Sequence, residues 1–199
     1  MSKILLASNN KHKAEEFKQI FIDAGLSSSL VLPQDLYLGG LEVEETGLTF
    51  EENAEIKALA FNKAAGMPVI SDDSGLEVDC LGLKPGVTSA RYAGVHGDDA
   101  ANRKKVLDEV LAKDCGNLKA RFRCVICYFD GNEIIQGVGK VEGRISLSER
   151  GSGGFGYDPI FIPDGYESTF AELPAEIKNQ ISHRKRALDD FIEKYKTKN

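Results

Sequence analysis

The chain predicts an α/β fold built on a mixed sheet, and three observations carry that reading. Residues 4–7 are a short apolar run followed by a helical pattern over residues 11–24, a strand, loop and helix in succession. A second helical pattern opens at Thr49 and runs almost directly into the apolar pair Val69 and Ile70. Two strand-like stretches, residues 118–129 and 133–146, flank Asp130-Gly131-Asn132, which reads as a hairpin with a three-residue loop. Antiparallel pairing thus accompanies the βα units, and helices cover the faces of a mixed sheet.

Each element has its own signal. In the first helix Ala14, Phe17, Ile20, Phe21 and Ala24 share one face, and Gly25 ends it. The second has Thr49 with Glu52 at capping-box spacing, and stops at Gly66 with Pro68 beyond. Ser71-Asp72-Asp73-Ser74-Gly75 reads as a tight turn at the carboxyl end of the strand begun by Val69, and residues 76–78 as a separate short strand. Pro85-Gly86 marks a turn, and residues 98–113 a helix with Val106, Leu107, Val110 and Leu111 inward. Residues 160–162 form a further short strand, and Pro174 opens a short helix. Ser182 caps a last helix with Ala187, Leu188, Phe191, Ile192 and Tyr195 inward. With no repeat, low-complexity tract or linker, residues 1–199 read as a single domain with two lobes around a cleft.

Composition narrows the function. With 42% hydrophobic residues the chain can bury a full core, and 31 acids against 25 bases, a net charge of -6, argue against a nucleic-acid coat protein. An anionic substrate then requires local basic groups or a cation. The first residues hold only a short apolar run before Asn9 and Asn10, which is neither a signal peptide nor a membrane span, so a cytoplasmic location is expected. Four cysteines fit that compartment in reduced form. Cys124 and Cys127 lie in a strand pattern, where residues three apart face opposite ways, so they neither chelate one metal nor form a redox pair. The three histidines lack metal-ligand spacing, which leaves acids as the metal ligands.

Six segments hold residues suited to chemistry. Asp72 and Asp73 sit where open α/β sheets place ligands, and hard carboxylate oxygens suit Mg²⁺; the plainer alternative is a capped, solvated turn. Ser8-Asn9-Asn10-Lys11-His12-Lys13 joins the first strand to the first helix. Lysines there are unfavourable for an isolated helix, and a bound phosphate would reverse the penalty; simple N-caps and solvated lysines are the alternative. Gly151-Ser152-Gly153-Gly154-Phe155-Gly156 matches a dinucleotide fingerprint in form only, because Tyr157-Asp158-Pro159 and a strand follow where a helix is required. What remains is a loop whose Phe155, Tyr157 and Asp158 suit a flat base, or whose aromatics simply pack inward. Ser182-His183-Arg184 opens the last helix, and Asn53 and Lys57 share one face of the second, downstream of Glu44-Glu45-Thr46-Gly47.

Taken in order, these segments, with Ser89-Ala90-Arg91-Tyr92 and Gly154-Phe155-Gly156-Tyr157-Asp158-Pro159, closely resemble the inosine/xanthosine triphosphate pyrophosphatases over nearly the whole chain. The resemblance implies an elongated α/β molecule with a long mixed sheet, helices on both faces and a cleft between two lobes, usually a homodimer. It implies Mg²⁺-dependent hydrolysis of ITP, dITP and XTP, small purine nucleoside triphosphates, to the monophosphate and pyrophosphate. Carried over by position, Ser8, Asn9, Asn10, Lys11, His12 and Lys13 bind the phosphates, and Glu44 and Asp73 hold the metal, with Asp73 also the catalytic base. Ser74, Lys57 and Lys178 contact phosphates and sugar. Phe155, Gly156, Tyr157 and Asp158, with His183 and Arg184, hold the base. Asp72 and a metal-bound hydroxide compete with Asp73 as the group that activates water. A pyrimidine nucleotide pyrophosphatase and an inactive nucleotide-binding regulator are the alternative functions.

Overall fold

The computed structural model describes residues 3–25 and 30–198. Its elements in order are β1 (Ile4–Leu6), α1 (Lys11–Asp23), β2 (Leu30–Val31), α2 (Phe50–Ala65), β3 (Val69–Val78), β4 (Lys84–Pro85), α3 (Asp99–Ala112), β5 (Lys119–Phe129), β6 (Ile134–Ile145), β7 (Phe161–Pro163), α4 (Ala175–Ile181) and α5 (His183–Lys198). Short 3₁₀ turns at Pro33–Leu36, Asp79–Leu81, Gly86–Arg91 and Asp158–Ile160 join several of them. The strands form one seven-stranded sheet in the order β2-β1-β3-β5-β6-β7, with β4 beside β3. Strand β1 pairs parallel with β2 and β3, while β4 on β3 and β7 on β6 are antiparallel. The mixed α/β sheet is as the patterns predict.

Local rules fix the helix ends. Asn10 accepts from the Lys13 N–H at 3.1 Å to start α1, and Thr49 accepts from the Glu52 N–H at 3.1 Å to start α2. The Glu52 carboxylate returns to the Thr49 N–H at 3.2 Å, completing the capping box. Gly66 then ends α2 at φ 63°, a left-handed value that glycine adopts without a Cβ penalty.

The chain divides into two compact units, the first from residues 1–73, 124–139 and 184–199, the second from residues 74–123 and 140–183. The boundary cuts β3 between Asp73 and Ser74. In the first unit Phe17, Ile20 and Phe21 of α1 pack with Leu6, Ile70, Ile126, Leu188 and Phe191. In the second, Leu76, Val106, Val110, Phe122, Ile160, Phe161 and Phe170 form a separate core. Fully burying one such phenylalanine contributes about 1.5–3 kcal/mol, so each unit holds its elements through its own apolar contacts.

Several details depart from the sequence reading. Strand β3 runs unbroken from Val69 to Val78 through Asp72 and Asp73, so the acids lie within a strand and not on a turn. Ala24 is exposed because α1 ends at Asp23, and Leu111 is 57% exposed because the inward stripe of α3 is the narrow set Asn102, Val106 and Val110. The hairpin loop spans residues 130–133, one longer than expected, since Asp130 Oδ1 accepts from both the Asn132 and Glu133 N–H groups at 2.8 Å. Cys80 and Cys115 are joined as a disulfide, against the expectation of four reduced thiols, while Cys124 and Cys127 are free and buried. No helix among the described residues is long and apolar enough to cross a membrane.

Candidate active site

In the first unit, three elements bring charge together beside β3. The turn after β1 carries Ser8, Asn9 and Asn10, then α1 begins. Ser8 Oγ accepts from the Asn10 N–H at 3.3 Å, and the Asn9 amide donates to the Leu41 carbonyl at 3.3 Å. Lys11 and His12 are exposed on the first turn of α1, which holds no acid of its own. Lys13, one position on, reaches across to Asp72 Oδ2 at 2.9 Å. Asp72 is 1% exposed and also meets Arg184 Nε at 3.8 Å, while Arg184 pairs with Glu16 at 2.6 Å. Arg184, grouped by the resemblance with the base-holding residues, lies in the first unit with these two acids as its ion-pair partners.

Asp73 has different company. Its Oδ2 accepts from the Asn53 amide at 3.1 Å, and Lys57 Nζ lies 3.8 Å from its Oδ1. Asn53 and Lys57 are adjacent turns of α2, and Lys57 also grips Glu45 at 2.6 Å. Asn53 is fully buried, and its carbonyl oxygen accepts from the Gly47 N–H at 2.8 Å, so one amide ties the 44–47 segment to Asp73. A Cβ on Gly47 would come within 2.7 Å of that oxygen, which explains glycine there. Glu44 sits exposed in the same segment, beside Glu45.

The two neighbouring acids are electrostatic opposites. Burial raises the Asp72 carboxyl, but Lys13, Arg184 and Lys57 outweigh it and pull it down to about 2. For Asp73 burial dominates; Lys57 and Lys13 oppose it, and the carboxyl is pushed up to about 6. Burial favours a neutral Lys57, yet Asp73, Asp72 and Glu45 outweigh it and hold the lysine above its usual value. A carboxylate that burial makes costly as an anion is one that a bound cation stabilises. Among the described residues no group of three or more His, Cys, Asp or Glu side chains is arranged to hold a metal. Hard carboxylate oxygens such as those of Asp73 suit Mg²⁺, which commonly takes one or two carboxylates and completes its shell with waters and substrate phosphates.

The second unit holds the glycine-rich loop. Asp158 Oδ2 accepts from the Phe155 N–H at 2.8 Å and from Lys178 Nζ at 2.7 Å, and that ammonium lies 4.9 Å from the centre of the Phe155 ring. Phe155 is half-buried, whereas Tyr157 is buried with its hydroxyl donating to the Ser89 carbonyl at 2.8 Å. Gly154 takes φ 68°, and a Cβ there would overlap the Asp158 carboxylate. Lys178, grouped by sequence with the phosphate contacts, is 5% exposed and tied to the Phe155 loop. His183 stacks on Phe122 at 4.8 Å and 10°. Ser74, half-buried, follows Asp73 on β3.

Sequence reasoning found Asn53 and Lys57 through their spacing on α2. It missed Glu45 as the partner of Lys57, Glu16 as the partner of Arg184, and Asp99 and Arg103, whose bonds to Gly156 no local pattern announces.

The model of the Ham1 family matches residues 4–194 of this chain. A protein of Oceanobacillus iheyensis named dITP/XTP pyrophosphatase is 46% identical over 194 residues, covering 96% of each chain. Two solved structures, the Ham1 protein of Staphylococcus aureus and a HAM1 protein from Coxiella burnetii, superpose with TM-scores of 0.85 and 0.88 at 40% and 38% identity, each covering the whole of both chains. With the family model spanning nearly its full length, the chain belongs to the Ham1 family.

Proposed function

We propose that this protein is a Mg²⁺-dependent nucleoside triphosphate pyrophosphohydrolase that converts ITP, dITP and XTP to the monophosphate and pyrophosphate, clearing deaminated purines from the nucleotide pool. One observation carries the reading: Asp73 is buried beside Asn53 and Lys57 on a strand whose neighbouring acid, Asp72, is already held by Lys13 and Arg184. The names of relatives such as the Oceanobacillus iheyensis protein support the substrate class.

Chemically, Asp73 orients and deprotonates a water for in-line attack on the α-phosphorus, and pyrophosphate leaves. Asp72 is poorly suited to that task because two cations occupy it. Lys57, Lys13 and the N–H groups at the start of α1 offset triphosphate charge, with Ser8, Asn9, Asn10, Lys11 and His12 alongside. Glu44 and Asp73 would hold Mg²⁺, which when bound neutralises charge on the phosphates. The Phe155 loop and His183 take the base. Hypoxanthine and xanthine carry an acceptor at O6 and a donor at N1, and adenine reverses both, so a donor from His183 to O6 rejects adenine by leaving buried groups unpaired. In this reading residues 1–199 act as a single domain, and the protein is a cytoplasmic homodimer.

The test is pyrophosphate release from ITP, dITP, XTP, ATP, GTP, dUTP and dTTP with and without Mg²⁺. Release from the first three, lost on chelation, is expected. Preference for dUTP or dTTP would indicate a pyrimidine enzyme, and tight ITP binding without turnover a regulator; either result overturns the proposal.

A further inference from the structure

The glycine-rich loop is held by α3, an element that no local sequence pattern connects with it. Gly154 and Gly156 both take left-handed φ, 68° and 59°, and glycine has more alternatives to such a conformation than any other residue. The restraint comes from the first turns of α3. The Gly156 N–H donates to Asp99 Oδ2 at 2.7 Å, and its carbonyl accepts from Arg103 Nη1 at 2.9 Å. Asp99 and Arg103 are four residues apart and so face the same side of the helix. Arg103 Nε pairs in turn with Glu149 at 3.0 Å, which steadies the guanidinium. Hydrogen bonds with one charged partner are about twice as strong as neutral ones, and here two act on a single residue.

That residue lies between the side chains assigned to the base. Phe155 precedes it, with its N–H on Asp158 and its ring near Lys178. On the other side Tyr157 is anchored to Ser89. Gly156 is the link between these two anchored stretches, and among the described residues the hydrogen bonds of its own backbone go to α3. The apolar contacts of α3 run through Val106 and Val110, further along the helix, so the polar pair is not needed to seat α3 on its core.

We propose that Asp99 and Arg103 are positioning residues for base selection: they clamp Gly156 so that Phe155 and Asp158 keep the one spacing that accepts the preferred base. This rests on the reading that the Phe155 loop holds the base. With the clamp released, the loop adapts to other rings and discrimination falls, while the groups that act on the phosphates stay in place.

The experiment compares wild type, Asp99→Ala, Arg103→Met, Arg103→Lys and Val110→Ala. It records kcat and KM on the nucleoside triphosphate panel, affinities for IMP, GMP and AMP by calorimetry, and thermal midpoints. Asp99→Ala and Arg103→Met are expected to raise KM for the best wild-type substrate about tenfold with kcat little changed, as loss of a charge-assisted hydrogen bond implies. The same variants should lower the ratio of best to worst base by a similar factor, in turnover and in monophosphate affinity. Arg103→Lys keeps a donor and should recover part of the loss. Val110→Ala should lower the midpoint without moving the ratio, which separates positioning from stability. Arg103→Met preserves the aliphatic stem and decides the matter if Asp99→Ala fails to fold. Unchanged base ratios in Arg103→Met, or an equal loss in Val110→Ala, would overturn the clamp. The substrate reading fails separately, if wild type prefers a base other than a deaminated purine, and the clamp is still judged on whichever ratio wild type shows.

Discussion

Asp72 and Asp73 differ because successive residues of a strand face opposite ways, and the two faces of β3 meet different elements. Asp72 points to Lys13 and Arg184, so its charge is compensated and its loss would leave cations behind, Arg184 almost wholly buried. Removing one partner of a buried ion pair typically costs about 3–5 kcal/mol, which sets the expectation for Asp72→Ala in urea unfolding at neutral pH. Asp73 is burdened by burial more than it is helped by Lys57 and Lys13. Asp73→Asn should therefore unfold within about 1 kcal/mol of wild type while losing pyrophosphate release. Near-normal turnover of Asp73→Asn at saturating Mg²⁺, or wild-type stability of Asp72→Ala, would contradict these roles.

At the scale of the element, the most instructive case is β3. Ser-Asp-Asp-Ser-Gly is a turn by propensity, and nothing local argues for a strand. It becomes one because partners engage it along its length. Ser71 Oγ donates to the Ala54 carbonyl at 2.5 Å, Asp72 meets Lys13, Asp73 accepts from Asn53, and the Leu76 N–H donates to Ser89 Oγ at 3.0 Å. Those partners come from α2, α1 and the turn after β4, distant in sequence and therefore invisible to a local pattern. The glycine also has a specific cause. A Cβ at Gly75 would overlap Ser89 Oγ and the Gly86 carbonyl oxygen. Gly75→Ala should destabilise by about 1–3 kcal/mol, the usual cost of overpacking, and Ser89→Ala should not rescue it because the backbone oxygen remains. Wild-type urea midpoints for Gly75→Ala would refute the close approach. By contrast, the capping box of α2, the stripe of α1 and the hairpin at Asp130 were readable because their causes lie within a few residues.

For the whole molecule, the mixed sheet was legible from the alternation of strand and helix patterns. The place where the two compact units divide was not, because the boundary cuts through β3 and depends on which apolar faces meet. The same limit applies to function. Residues 8–13, 57, 72 and 73 lie in the first unit, and 155–158, 178 and 183 in the second. Only packing shows that Arg184 pairs with Asp72 and Lys178 with Asp158. The account's central claim is that water attacks the α-phosphorus of a deaminated purine triphosphate at Asp73. Turnover of dITP in H₂¹⁸O tests it most directly: mass spectrometry should find one ¹⁸O in dIMP and none in pyrophosphate. Unlabelled dIMP with label in pyrophosphate, or release of inorganic phosphate from the γ position, would contradict it.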